Sequence, residues 1–348
     1  MIRIRQVEDP DRKRWDAYVL SHPLAGTYHL FAWKQAVERA YYHKCPYLVA
    51  EDGRGEIQGV LPLVLMKPPL LKPVLVSLPF CDYGGVLSSN TEAAHELIAH
   101  ALDIAASNRA AIDIRYMHEE PFLQKSSMFS VSNHKVRMVL ELPESPEILW
   151  NSFKTKLRTR VRKPMKDGLI FRMGSAELID PFYKVFCRNM RDLGSPVHAK
   201  KWFVCLFKAF EERAHIGVIY KDDQPISAGI IIGCGDTISN PWSSTIREFN
   251  RMSPNMFLYW SLLEYACKNG FKYFDFGRST PGEGTYVFKE QWGAKPEVLF
   301  WYSMGAKKEA QLVSSSGGTR ELAEKAWSRL PQAIADRLGP ALRKFISL

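Results

Sequence analysis

The sequence predicts an α/β (α+β) protein of two lobes, each a mixed central sheet flanked by helices. Three observations carry that expectation. The chain has 348 residues, 46% hydrophobic and 12% aromatic, enough for two ordinary cores. Strand and helix signals interleave along it, the order expected of sheets covered by helices. A strand, an acidic turn and a second strand with a late glycine occur twice, as VAEDGRGEIQGV (49–60) and IYKDDQPISAGI (219–230). Their spacing of about 170 residues, near half the chain, suggests a duplicated unit.

In the first lobe, alternation predicts a strand over 2–7, then helices over 11–20 and 31–41. Strands follow over 46–51 and 57–66, joined by the turn Asp52-Gly53. Strand signals continue over 74–87, around Cys81-Asp82-Tyr83-Gly84-Gly85. Ala94, Leu97, Ile98, Ala101, Leu102 and Ala105 recur on one face of a helix over 91–107. Strands over 111–116 and 135–142 come after it. Pro143 and Pro146 punctuate the chain, so domains are expected at 1–145 and 146–305, with a linker and helical tail over 306–348.

The second lobe opens with a basic helix over 147–166. A strand over 168–173 and helices over 181–191 and 198–212 come next. Strands over 216–220 and 226–233 form a hairpin through Asp222-Asp223, and 236–243 adds another strand. Ser253 is read as the cap of a helix reaching Lys268, with Pro254 in its first turn. Strands over 272–276 and 297–302 complete the lobe. Residues 307–318 are polar and serine-rich, as in a linker. Beyond them Trp327, Leu330, Ile334, Leu338, Leu342, Phe345 and Ile346 form an apolar stripe interrupted by Pro331 and Pro340. The plain reading is a tail packed on the body; the sharper one is a basic amphipathic end on a membrane surface.

A net charge of +10 and a pI near 9.2 favour anionic partners: phosphates, nucleic acid or an acidic membrane. The six cysteines hold no C-x-x-C pair and the nine histidines no H-E-x-x-H, so neither a disulfide framework nor a metal site is expected. The first residues lack an apolar signal core. The apolar run over 60–80 is cut by Lys67, Pro68, Pro69, Lys72 and Pro73. Neither a signal peptide nor a membrane span is expected, and the protein is read as cytoplasmic.

Two stretches carry chemistry. In WNSFKTKLRTRVRKPMKDG, Trp150, Phe153, Leu157 and Val161 recur at helical spacing and should face the core. Lys154, Lys156, Arg158, Arg160, Arg162, Lys163 and Lys166 add seven positive charges with no acid between them, a crowding that an anion would relieve. Arginine suits bidentate contact with phosphate oxygens. The plain alternative is a solvated basic face. The second stretch, 274–296, runs from Phe274-Asp275-Phe276 through Gly277 and the loop Arg278 to Gly284. It then gathers Tyr286, Phe288, Lys289, Trp292 and Gly293. Glycine and proline let such a loop wrap closely around a ligand. A lysine among aromatics reads as a cation held in a partly dry place, or as a snorkelling surface side chain.

The order of elements resembles the GNAT acyltransferase fold, here in tandem. The place of the glycine-rich pyrophosphate loop of that fold is held by residues 247–254, without the glycines, which counts against ordinary CoA binding. The S-x-x-x-K run at Ser152, the R-K-P-M-K-D-G run at 162–168 and the D-x-G…Y-x-F-K run from Asp275 to Lys289 resemble the Fem family. Fem proteins are non-ribosomal aminoacyltransferases acting on peptidoglycan precursors. The finer resemblance is to FemAB-like proteins associated with exosortase (PEP-CTERM) and exopolysaccharide clusters, which carry the BioF2-like acetyltransferase label. The likeness covers residues 25–302. It implies a phosphate-binding region at 158–166 and a catalytic pair at Phe288 and Lys289. No heptad run corresponds to the tRNA-binding coiled-coil arm of some members.

The expected reaction is N-acyl or aminoacyl transfer to an amine. Lys289 would stabilise negative charge, and Asp275 or Glu283 would act as base, with a structural cap the equal alternative for Asp275. Arg158, Arg160, Arg162, Lys163 and Arg278 would bind phosphate or substrate, and Tyr286 and Trp242 would line a channel. No tightly bound cofactor is implied; the donor is aminoacyl-tRNA or an acyl-CoA or acyl-carrier thioester. The competing function is a non-catalytic basic protein for nucleic acid, DNA excepted, or for an anionic membrane.

Overall fold

The computed structural model describes residues 2–305 and 317–348. In chain order, β1 is Arg3–Gln6, α1 Arg12–Ser21, α2 Phe31–Tyr41, β2 Leu48–Glu51, β3 Ile57–Leu61, β4 Val64–Met66, β5 Val74–Val76 and β6 Leu87–Ser88. Then come α3 Thr91–Ser107, β7 Ala111–Tyr116, α4 Pro121–Gln124, β8 Ser130–Ser132, β9 Val136–Glu141, α5 Pro146–Ser152 and α6 Thr155–Lys166. β10 is Ile170–Gly174, α7 Ile179–Asp192, α8 Lys200–Phe210, β11 Ala214–Lys221, β12 Gln224–Cys234, β13 Thr237–Thr245 and α9 Pro254–Lys268. β14 is Tyr273–Ser279, α10 Gly284–Glu290, β15 Lys295–Val298, β16 Phe300–Met304, α11 Gly317–Ser328 and α12 Gln332–Arg343.

The chain divides into two compact units. Among the described residues the first holds 2–137, 297–305 and 345–348, and the second 138–296 and 317–344. The divisions fall at 137/138 and near 297, rather than at the proline punctuation and after 305. The reason is strand pairing. β16 was expected to close the second lobe, but it pairs with β7 and β8 of the first unit. Its Tyr302 is fully buried in that unit's core. The linker expected over 307–318 lies largely outside the described residues; Gly317 and Gly318 open α11.

The first unit carries the sheets β1-β2-β3-β6 and β4-β5-β7-β16-β8. The strand expected over 57–66 is two strands in different sheets. Pro62 separates them, having no N–H to donate to a ladder. Ala93, Leu97, Ile98, Ala101 and Ala105 of α3 pack with Leu48, Ala50, Leu61 and Ile112.

The second unit is built on the run β10-β11-β12-β13-β14-β9. Every β12 residue after Gln224 is buried, so the strand must be covered on both faces. Helix α7 packs on β12 and β13, and α9 on β11 and β12. A Cβ at Gly217 would fall 2.9 Å from the Leu262 side chain, so glycine there lets α9 approach the sheet closely. The two sequence-similar segments both form antiparallel hairpins, β2-β3 and β11-β12, each with a register shift near its turn. Each unit also has a parallel pair joined across a helix, β5 with β7 and β13 with β14. This is the mixed α/β architecture expected.

Two expectations are corrected in α5, α6 and α9. The basic helix is not continuous: Phe153 and Lys154 are extended, with ψ of 141° and 145°, and split it into α5 and α6. Phe153 there packs edge-on to both Trp260 and Trp292, ring centroids 6.0 and 5.4 Å away. Ser253 does stand at the N-terminus of α9, but in the left-handed region and with no side-chain capping bond. In the tail, α12 packs on α7, with Ala335 and Gly339 buried and Gly339 close against Val197. Ile334, Leu338 and Leu342 remain 45–49% exposed, so small residues rather than the apolar stripe make the contact. Among the described residues, no helix is long and apolar enough to cross a membrane.

Candidate active site

The site is built around the end of β14. β13 and β14 run parallel and are paired from Thr237↔Tyr273 to Ser239↔Asp275. At that point Asn240, buried, donates from Nδ2 to the carbonyls of Ile230 and Trp242 at 2.7 and 3.1 Å. Ser243 donates to Asn240 Oδ1 at 2.8 Å, and the Tyr259 hydroxyl bonds to Ser243. Burial raises the Tyr259 hydroxyl above the ordinary tyrosine value, keeping it a neutral donor. No motif pointed to this Tyr259–Ser243–Asn240 chain. Its one sequence signal is an asparagine inside an otherwise apolar and serine-rich strand, where an amide needs a partner.

Across from it, Asp275 is 1% exposed and accepts the Gly277 N–H on Oδ1 at 2.8 Å. Gly277 has φ +74°, which a side chain would disfavour. Lys289, on α10, is 7% exposed and donates from Nζ to the carbonyls of Gly277 and Arg278 at 3.0 and 2.8 Å. The lysine is therefore a buried cation held on the backbone turn that Asp275 also fixes. Phe288 packs edge-on to Tyr259, centroids 5.0 Å apart, and Tyr259 stacks on Phe276 at 5.6 Å. Arg278 and Tyr286 are half-buried on either side of the loop.

The residues that follow Lys289 in the chain, 290–293, line a cleft of about 710 Å³, which Lys289 itself does not line. Lys154, Lys156 and Arg160 line one side, Glu290 to Gly293 another, and Leu140, Leu142, Leu149 and Phe153 give it an apolar wall. The first turn of α6 belongs to this lining, so the helix dipole adds positive potential. Arg160 Nη1 donates to Gln291 Oε1 at 2.9 Å, which ties α6 to the segment after Lys289. Trp292 also lines the cleft; it is 1% exposed, and its Nε1 has no hydrogen-bond partner.

The structure thus gathers Lys289, Asp275 and the Arg278 backbone at one turn, with Phe288 and Arg160 on adjoining segments. Other expected residues lie elsewhere. The Arg162 guanidinium lies over Trp150 at 5.2 Å, Lys163 Nζ donates to the Arg251 carbonyl at 3.0 Å, and Arg158 reaches Thr155 at 3.5 Å. Trp242 sits in an aromatic cluster with His198, Trp202 and Phe203. Lys154 and Lys156, counted in the sequence only as part of the charge run, belong to the cleft.

Residues 151–290 match the acetyltransferase (GNAT) domain family. The lipid II:glycine glycyltransferase of Staphylococcus aureus is 26% identical over 186 residues, covering 48% of this chain and 43% of that protein. The chain thus spans less than half the length of the curated relatives that it matches. The crystal structure of FemX superposes with a TM-score of 0.68 at 18% identity, over 86% of this chain and 96% of that one. A tandem GNAT protein from the clavulanic acid biosynthesis pathway gives 0.57 at 12% identity, over 88% and 99%. These structural likenesses show the fold alone. Residues 151–290, which hold α6, β13, β14 and Lys289, are thus the part of the chain that is similar to the acetyltransferase (GNAT) domain family, in a chain with the fold of FemX and the tandem GNAT proteins.

Proposed function

We propose that this chain transfers an aminoacyl or acyl group to an amine at the end of β14, while the neighbouring cleft holds a phosphate-bearing substrate. The amine nitrogen attacks the acyl carbon and a C–N bond forms. The C–O bond of a tRNA ester, or the C–S bond of a thioester, breaks, and the amine proton passes to the departing group or to a base. The observation that carries the reading is the single segment from α10 to Gly293. One part places Lys289 on the β14 turn, and the next walls the cleft opposite Lys154, Lys156 and Arg160.

In this reading the buried Lys289 ammonium supplies fixed positive charge to the oxygen or leaving group on which negative charge develops. Asp275 acts by holding the Gly277 N–H, so it is a positioning residue, and Phe288 packs the turn against Tyr259. Arg160, Lys154 and Lys156 bind phosphate in the cleft, while Arg158, Arg162 and Lys163 add to the field around it. Arg278 and Tyr286 are assigned to substrate contact, and Trp242 to the wall behind β13. The similarity to a lipid II:glycine glycyltransferase supports a lipid-linked acceptor in cell-wall or exopolysaccharide synthesis, with aminoacyl-tRNA as donor. The exposed Ile334, Leu338 and Leu342 stripe supports peripheral contact with an anionic membrane.

The test is product mass spectrometry on the purified chain, given an amine-bearing acceptor and either aminoacyl-tRNA or an acyl thioester. Product that disappears on RNase treatment assigns tRNA as donor; product that persists assigns a thioester. No product with any donor, together with retained RNA or vesicle binding by Lys289→Ala, would replace the transferase with a binding protein.

A further inference from the structure

In the first unit, residues 67–73 join β4 to β5 as an exposed tip with the sequence Lys67-Pro68-Pro69-Leu70-Leu71-Lys72-Pro73. The Leu71 N–H closes a turn on the Pro68 carbonyl at 3.4 Å, with Pro69 and Leu70 at its centre. Leu70 has φ +63°, a conformation that turns usually give to glycine or asparagine because a larger side chain costs free energy there. Leu70 is also 105% exposed, and Leu71 71%. Neither backbone preference nor packing within the chain accounts for leucine at this place. An apolar side chain held outward at a cost points to something outside the chain that receives it.

The surroundings give the tip a charge. Met66 pairs with Val74, Val74 with Ala111 of β7, Ile112 with Met304 of β16, and Ser303 with Ser130 of β8. The tip therefore shares one end of the five-stranded sheet with the start of β7, the end of β16 and the start of β8. Lys67 and Lys72 are exposed on its two limbs, and Arg109 is exposed just before β7. Lys72 Nζ donates to the Gly305 carbonyl at 2.8 Å, which braces the tip against the end of β16. Met128, two residues before β8, adds a further apolar side chain, 57% exposed. No Asp or Glu occurs in 57–81, 104–112 or 121–140, the stretches that build this end.

We propose that residues 67–73 are a membrane-docking tip. Leu70 and Leu71 enter the acyl boundary of an anionic bilayer, and Lys67, Lys72 and Arg109 meet its headgroup phosphates. Two leucines on a turn offer far less than the roughly 800 Å² per partner of a stable protein interface. Shallow insertion into lipid needs only a few apolar side chains with cations beside them, and two such weak contacts together hold a protein that one alone does not.

The proposal shares with the α12 stripe the reading that this protein meets an anionic membrane, and it is independent of acyl transfer. Co-sedimentation with phosphatidylcholine vesicles, with and without about a third phosphatidylglycerol, tests it. Leu70→Glu with Leu71→Glu should weaken binding to the anionic vesicles at least about tenfold. Lys67→Gln should weaken it about fivefold, a loss that disappears in high salt. Leu70→Gly relieves the left-handed backbone, so it should weaken binding without lowering the thermal unfolding midpoint. Binding that these variants leave unchanged while Leu338→Glu/Leu342→Glu reduces it would overturn the tip and spare the membrane reading. No binding of the unaltered chain to any vesicle would overturn both. Self-association in sedimentation velocity that Leu70→Glu/Leu71→Glu removes would make the tip an interface between copies and overturn the proposal as well.

Discussion

Replacing Lys289 by Met separates what the ammonium does for the fold from what it does for chemistry. Methionine keeps most of the unbranched apolar length, so packing is nearly conserved. What is lost is a charged donor on two carbonyls, at 3.0 and 2.8 Å, at a position 7% exposed. Hydrogen bonds to a charged group contribute about 1.5–3 kcal/mol each, and buried acceptors left without a donor add to the loss. Removing the cost of burying an ammonium works in the opposite direction. The net expectation is a destabilisation of about 2–4 kcal/mol. With a urea dependence of about 2 kcal/mol per molar, the unfolding midpoint should fall by about 1–2 M. Circular dichroism measures it. A midpoint unchanged within about 0.3 M would refute the claim that the ammonium holds the β14 turn together. Turnover measured where the variant is fully folded should drop about 100- to 1000-fold. Lost stability with full turnover would leave Lys289 a strut and move the chemistry elsewhere.

The same geometry gives three further expected outcomes. Arg160→Ala with Lys156→Ala should raise KM for the phosphate-bearing substrate about 10- to 100-fold with kcat little changed, and Arg162→Ala should do less; steady-state kinetics at two salt concentrations reads both. His29 is 2% exposed, accepts the Gly26 N–H on Nδ1 and faces the Gly85 carbonyl with Nε2, the neutral tautomer; burial pushes it down to about 4 from an ordinary 6.5. The unfolded chain therefore binds that proton first, and about 3 kcal/mol of stability present above pH 6.5 should be lost as pH falls toward 4. Urea midpoints between pH 7.5 and 5 should fall less in His29→Gln. Leu338→Glu with Leu342→Glu should abolish co-sedimentation with anionic vesicles without lowering thermal stability, because both side chains are exposed.

Much of the fold was legible because periodicity reports burial directly. Helices α2 and α3 and strand β7 fall at their expected residues, since each buries one clear face or a continuous apolar run. What was not legible depended on partners distant in sequence. The apolar signal of β16 looks the same whichever sheet receives it. Its place beside β7 is set by Tyr302 filling the first unit's core, which no local window contains. The split of the basic helix was hidden for the same reason. Nothing in Phe153-Lys154 forbids a helix; Trp260 and Trp292, more than a hundred residues away, hold Phe153 out of it.

The candidate site divides along the same line. Residue type alone left Lys289 open between a cation in a partly dry place and a snorkelling side chain; its bonds to the Gly277 and Arg278 carbonyls favour the first. Residue type did not say which cations of α6 would share a cleft. Seven charges on one helix project around its whole circumference, and only a helix packed on one side sorts them. Once Leu157 and Val161 are buried, Arg162 is carried to Trp150 and Lys163 to the Arg251 carbonyl. Lys156 and Arg160, four residues apart, remain on the cleft side with Lys154 at the helix start. The break at Phe153 is what exposes that start: in a continuous helix the Thr155 and Lys156 N–H groups would be spent on the carbonyls of Asn151 and Ser152 in α5. The same aromatic packing that defeated the prediction of one long helix therefore supplies the cleft with its anion-attracting end.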